Sequence, residues 1–109
     1  MIARLWRGVT RAQDHDAYLD YLHKTGVADI LKITGNRGVR LFHRIHDGQA
    51  EFVFLSLWES FDAIRAFAGP QPDRAVYYPA DRKFLLELTP EVAHYTMEVF
   101  EPQAGTSAV

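Results

Sequence analysis

The stretch VRLFHRIHDGQAEFVFLSLW, residues 39–58, decides the fold of this chain. Two runs of alternating side chains flank Asp47-Gly48. Asp-Gly between such runs marks a two-residue hairpin turn, because both central residues must take positive φ. A turn that tight fixes the register: His46 opposes Gln49, Arg44 opposes Glu51 and His43 opposes Phe52. Directly opposed residues share a face of the sheet. One face then carries Val39, Leu41, His43, Ile45, Phe52, Phe54, Ser56 and Trp58. The other carries Arg40, Phe42, Arg44, Glu51, Val53, Leu55 and Leu57.

Both faces hold a block of large apolar side chains. A sheet with helices on one side and water on the other alternates cleanly instead. In a chain of 109 residues the helices can cover only one face. A second copy of the chain is the simplest cover for the other, so the hairpin predicts a homodimer through the face with Phe42, Val53, Leu55 and Leu57. Arg44 opposite Glu51 reads as a cross-strand ion pair.

Outward from the hairpin, residues 2 to 10 alternate as a strand, with Ile2, Arg4, Trp6 and Gly8 on one side. Thr10 or Asp14 can cap a helix running to about Lys24, with Ala17, Tyr18, Tyr21 and Leu22 at helical spacing. Thr25-Gly26 reads as its stop, Val27 to Ile33 as a second helical piece, and Gly35 to Gly38 as a turn. After the hairpin, Ser60 caps a helix with Phe61, Ile64, Phe67 and Ala68 on its buried side. Gly69-Pro70 ends it, and Asp73 to Tyr78 suits one helical turn. Pro79 to Leu88 predicts a further helix with proline in its first turn. Glu91 to Glu101 predicts a last strand. The order is strand, helix, strand, strand, helices, strand. That is the α+β, ferredoxin-like split βαβ pattern with helices on one face of the sheet. One domain over residues 1–101 follows, with 102–109 as a disordered tail.

Composition bounds the function. The formal net charge is -2, with acids and bases interleaved and no basic stripe. The electrostatic footprint of a nucleic-acid binder is therefore missing. No apolar run approaches the ~18 residues of a membrane span. The N-terminal residues lack the pattern of an export signal, which predicts a cytoplasmic protein. There are no cysteines, so disulfides, thiolate nucleophiles and thiolate metal sites are out of reach. No nucleophile motif, phosphate loop or dinucleotide fingerprint is present. Seven Phe, five Tyr and two Trp predict a well-filled core or an aromatic pocket for a flat ligand.

The strand with Trp6, the hairpin ending in Leu57-Trp58-Glu59-Ser60, the helix with Ala63, Ala66 and Phe67, and the closing strand together resemble the antibiotic biosynthesis monooxygenase family. The resemblance covers about residues 1 to 100. It implies a dimeric α/β barrel, in which two sheets pack face to face across a dimer. Members include cofactor-free oxygenases of phenols, quinols and polyketides, and haem-degrading enzymes. The haem-degrading branch uses an Asn on the first strand, a Trp on the helix after Trp-Glu-Ser, and an axial His in the next helix. This chain has no Asn on its first strand, has Phe67 where that Trp would sit, and offers Tyr77 and Tyr78 in place of the His. Tyr can ligate haem iron, but three positions depart from the pattern.

The leading expectation is therefore a homodimeric, cofactor-independent monooxygenase acting with O₂ on a small aromatic or quinol. It needs no metal and no bound cofactor. Such chemistry asks for a dry pocket, a base, and donors for the resulting oxyanion. His43, mid-strand among aromatic residues, is the candidate base. The alternative for it is a core histidine bonded to Ser56 or to backbone. Tyr77 and Tyr78 are candidate oxyanion donors, or else loop packing. Trp6, Ser56, Trp58, Phe67 and His94 complete the expected pocket. His15 and His23 read as solvated. The rival expectation is a non-catalytic ligand-binding or stress-associated homodimer of the same fold. Haem binding stands third.

Overall fold

A computed structural model describes residues 1–103 of the chain. The hairpin has the register its turn predicts. Strand β2 (Asn36–His46) and strand β3 (Gln49–Trp58) pair His46 with Gln49, Arg44 with Glu51 and His43 with Phe52. Asp47 (φ 51°) and Gly48 (φ 74°) both take positive φ, as the tight turn requires. Strand β1 (Ile2–Arg11) runs antiparallel beside β3, and strand β4 (Ala93–Thr96) lies on its other side. The sheet order β2-β3-β1-β4, with the helices on one face, is the α+β ferredoxin-like arrangement.

The face division follows the register. Ala50, Phe52, Phe54, Ser56 and Trp58 are buried beneath the helices. On the far face Phe42 is 57% exposed, Val53 and Leu55 are half-buried, and Leu57 is buried. One end of that face carries an ion ladder, in which Glu51 accepts from Arg44 Nε at 2.6 Å and from Arg7 on β1. Those hydrogen bonds hold the Glu51 carboxyl below the usual range.

Helix α1 (His15–Leu22) does not stop at Thr25-Gly26. It passes through a π-helical turn, His23–Val27, into helix α2 (Ala28–Leu31). A glycine ends a helix when it turns left-handed, and Gly26 is not among the residues of positive φ. The Thr25 hydroxyl instead donates back to the Tyr21 carbonyl at 2.7 Å, and Gly26 is buried against the Phe54 ring. The expected turn at 35–38 is shorter than predicted. Strand β2 already starts at Asn36, with an irregularity before Val39 that Gly38 accommodates at φ 113°.

Ser60 caps helix α3 (Phe61–Ala68), accepting from the Ala63 N–H at 3.1 Å. Ile64 is fully buried, but Phe61 is 40% exposed; its ring lies edge-on to His94 instead of entering the core. The helix predicted over 79–88 shrinks to α4 (Asp81–Phe84). Leu85 turns extended and bridges Thr10, and the Leu86 N–H donates to the Val9 carbonyl at 2.9 Å. The reason is non-local: β4 pairs only with Ile2 to Leu5, so the far end of β1 has free backbone groups that this segment satisfies. The last strand is correspondingly short. After Thr96 the Met97 N–H meets the Met1 carbonyl and β1 has run out. Residues 73–78 form no helical turn: Asp73 lies in a turn from Gln71 to Arg74, Arg74 bridges Glu91, and 75–78 are irregular. Of the tail expected over 102–109, residues 104–109 lie outside the described residues.

Candidate functional site

A narrow cavity opens between the sheet and the helices. Arg4 and Trp6 of β1 and Phe54 of β3 form its floor. Tyr18, Leu22, Gly26 and Ile30 close one side, Phe67 another, and Val76 to Tyr78 with Asp81 a third. Its volume is about 40 Å³, room for a few waters at most. Gly8 shapes the floor, because the Trp6 indole lies flat over it where a Cβ would stand.

Several predicted site residues meet here. Trp6, Phe67, Tyr77 and Tyr78 all line the cavity. Their polar groups are already engaged. Tyr77 Oη accepts from Trp6 Nε1 at 3.2 Å and donates to the Thr89 carbonyl at 2.5 Å. Tyr78 Oη donates to Asp29 at 2.6 Å; burial, and then this bond, push its phenol well above the usual range. Ser56 and Trp58 lie beneath the cavity without lining it, with Trp58 Nε1 donating to Ser56 Oγ at 2.8 Å.

His43 is elsewhere. It is exposed at the outer strand of the sheet, where its Nδ1 stands 2.9 Å from Nε2 of His15. His15 is not solvated as its helix position suggests. Its ring stacks on Phe52 with 5.5 Å between centroids, and its Nδ1 meets Asp16 at 2.7 Å.

Sequence reasoning passed over the two charged groups of the cavity. Asp81 is 4% exposed and accepts from Tyr18 Oη at 2.8 Å and from the Tyr78 N–H at 2.6 Å. Burial raises the Tyr18 phenol far above its ordinary value, and Asp81 adds to this. Arg4 is 5% exposed, and its guanidinium lies over the Phe67 ring, 5.5 Å from the centroid. One Nη donates to the Arg74 carbonyl at 2.7 Å, while Nε has no partner. Burial pulls the Arg4 pKa down to about 10, partly opposed by Asp73. The helix-side position of Arg4 in the alternation of β1 was the available signal. A charge on the apolar side of a strand is an anomaly that calls for a partner.

His94 sits beside Arg4. The two are directly opposed across β1 and β4. His94 Nδ1 stands 2.9 Å from Asp73, its side chain is 8% exposed, and its Nε2 is buried without a partner. Burial is the larger influence and lowers the His94 pKa. The Asp73 hydrogen bond opposes that shift, and Arg4 reinforces it.

No family model matches the sequence, and no curated protein does. Among solved structures the chain is similar to Rv0793 from Mycobacterium tuberculosis, at 15% identity over 94% of this chain and 98% of that one, with a TM-score of 0.49.

Proposed function

We propose that this protein is a cofactor-independent monooxygenase-like enzyme that oxidises a small phenol or quinol with O₂. The observation that carries the reading is Arg4. A guanidinium buried in the floor of an aromatic cavity, with no carboxylate within ion-pair distance among the described residues, is a standing charge awaiting an anion. A phenolate is such an anion, and it is also the form that gives an electron to O₂. Radical recombination at the ring carbon and loss of water then turn a phenol and O₂ into a quinone and water. The likeness of the Leu57-Trp58-Glu59-Ser60 step and the element order to the antibiotic biosynthesis monooxygenase family supports the same reading.

The cavity as it stands is smaller than a benzene ring needs, since an apolar cavity of roughly 150 Å³ is the size known to take one. The wall of Val76, Tyr77 and Tyr78 belongs to a stretch between α3 and α4 without helix or strand. That stretch must move outward to admit a ring. The far face of the sheet, with Phe42, Val53, Leu55 and Leu57, is assigned to a second copy of the chain.

The rival reading, a ligand-binding dimer without chemistry, draws support from the engaged phenols of Tyr77 and Tyr78. Oxygen electrode measurements with a panel of hydroquinones separate the two. The enzyme reading expects uptake above the protein-free rate, lost in Arg4→Met. Uptake no faster than the protein-free rate on every substrate, with binding retained, leaves the ligand-binding reading in its place. Arg4→Met is expected to fold at least as stably as the wild type, because it exchanges an unpaired buried charge for an apolar chain of similar length.

A further inference from the structure

Among the described residues, the buried side-chain nitrogens or oxygens without a hydrogen-bond partner are Arg4 Nε and His94 Nε2. They are not scattered. Arg4 and His94 are register partners on adjacent strands, so their side chains leave the same face of the sheet side by side. Buried polar groups are nearly always satisfied, and each exception asks for a reason. Two exceptions on one opposed pair ask for a single shared partner.

The chemistry of the two atoms defines that partner. Asp73 accepts at His94 Nδ1. A carboxylate only accepts, so Nδ1 carries the proton and Nε2 of the neutral ring is a bare acceptor. Arg4 Nε–H can only donate. One oxygen that both accepts and donates satisfies the pair, which is the description of a hydroxyl. A carboxylate would satisfy Arg4 and repel the lone pair of His94.

We propose that Asp73 and His94 form a base dyad that, with Arg4, takes the proton from a phenolic or enolic hydroxyl of the ligand. The inference rests on the oxidation reading above and supplies the base it lacks: neither His43 nor His94 lines the cavity, but His94 directly opposes Arg4, which does, whereas His43 stands on the outer strand. In the step, the ligand O–H bond breaks and its proton passes to His94 Nε2. The electron pair stays on the ligand oxygen. The imidazolium is held by Asp73 and the oxyanion by the Arg4 guanidinium, so each new charge meets an opposite one already in place. Asp73 and Arg4 are the charged groups that act on His94. Burial, with Arg4 adding to it, disfavours the charged ring before the ligand arrives, and Asp73 supports the cation afterwards. Two rings of α3 cover the pair, Phe61 against His94 and Phe67 over Arg4. Together with the Val76–Tyr78 wall, these rings must shift for the hydroxyl to reach the dyad.

The test uses 4-nitrophenol, which absorbs differently once ionised, titrated with the intact protein across neutral pH. Bound to wild type, the probe should ionise at lower pH than in buffer, by about tenfold in acidity. His94→Gln should bind the probe with only the smaller shift that Arg4 alone provides, and Asp73→Asn should fall between that variant and wild type. Asp73 is 70% exposed at its side chain, so Asp73→Asn serves if His94→Gln fails to fold. No binding of the probe, or the same ionisation in wild type and variants, overturns the dyad. Oxygen uptake keeps the two proposals apart. A shift that depends on His94, without uptake on any hydroquinone, sinks the oxygenase and leaves the dyad. Uptake unaffected by His94→Gln and Asp73→Asn does the reverse.

Discussion

Trp58 Nε1 donates to the hydroxyl of Ser56, two residues back on the same strand, and both side chains are fully buried. A residue and its next-but-one neighbour share a face, so the indole N–H finds its acceptor inside the core, and the Ser56 hydroxyl in turn donates to the Arg4 carbonyl at 3.5 Å. Removing the hydroxyl leaves the indole N–H orphaned. Ser56→Ala is expected to lose about 1–3 kcal/mol in urea unfolding while 4-nitrophenol binding at Arg4 stays unchanged. A variant of wild-type stability would show that the N–H finds another partner.

Asp81 depends on Tyr18 in the same way, with higher stakes because the acceptor is a carboxylate. Tyr18→Phe removes the donor at 2.8 Å and leaves one backbone donor, from Tyr78, on a residue 4% exposed. The expected loss is roughly 1.5–3 kcal/mol, the range for bonds to charged groups. Adding Asp81→Asn should recover part of it, because the charge then no longer needs solvation. A double-mutant cycle with no coupling would separate the two groups.

The far face of the sheet predicts a dimer in solution. Multi-angle light scattering of the wild type at micromolar concentration should report two chains. Phe42→Glu with Leu55→Glu should report one, since each places a charge in the apolar centre while the ladder of Arg7, Glu51 and Arg44 is untouched. A monomeric wild type ends the assignment of that face to a second copy.

His94 links stability to pH with a definite sign. Its pKa is lowered in the folded protein by burial and takes its ordinary value of about 6.5 when unfolded. Below that value the unfolded chain binds a proton that the folded chain refuses. The contribution is therefore complete above pH 6.5 and is lost as pH falls toward the folded value. Thermal melts from pH 7.5 to 5.5 should decline less in His94→Gln than in wild type. Parallel declines would place the titration on other groups.

The parts legible in the sequence were those fixed by neighbours in the chain. Asp47-Gly48 sets its own turn and hence the register of β2 on β3, and from that the two faces follow. The Ser60 cap is equally local. What failed depended on distant strands. Leu85 and Leu86 have helical spacing behind them but leave the helix to fill the open end of β1, and β4 ends where β1 does. The site divided likewise. Trp6, Phe67, Tyr77 and Tyr78 were placed at the cavity by aromatic character. Arg4 and Asp81 were passed over because a charged residue reads as an outward one until the packing is known. The mid-strand place of His43 among aromatic residues predicts a pocket, but it stands on the outer strand of the sheet, where it is exposed.

The π-helical turn at His23–Val27 bears on how the chain can vary by insertion and deletion. Such a turn spends one residue more than an α-helical turn between the same two ends. Tyr18 and Leu22 before it and Ile30 after it all reach the one cavity, so the surplus residue sits between two faces that already point correctly. A chain with one residue fewer between Leu22 and Ile30 would close the bulge into ordinary helix and keep both faces. It would forfeit the seat of Gly26 against Phe54, and with it the shape of the cavity's side wall. Length in this short interval is therefore a marker of pocket shape, readable in any related sequence before its fold is known.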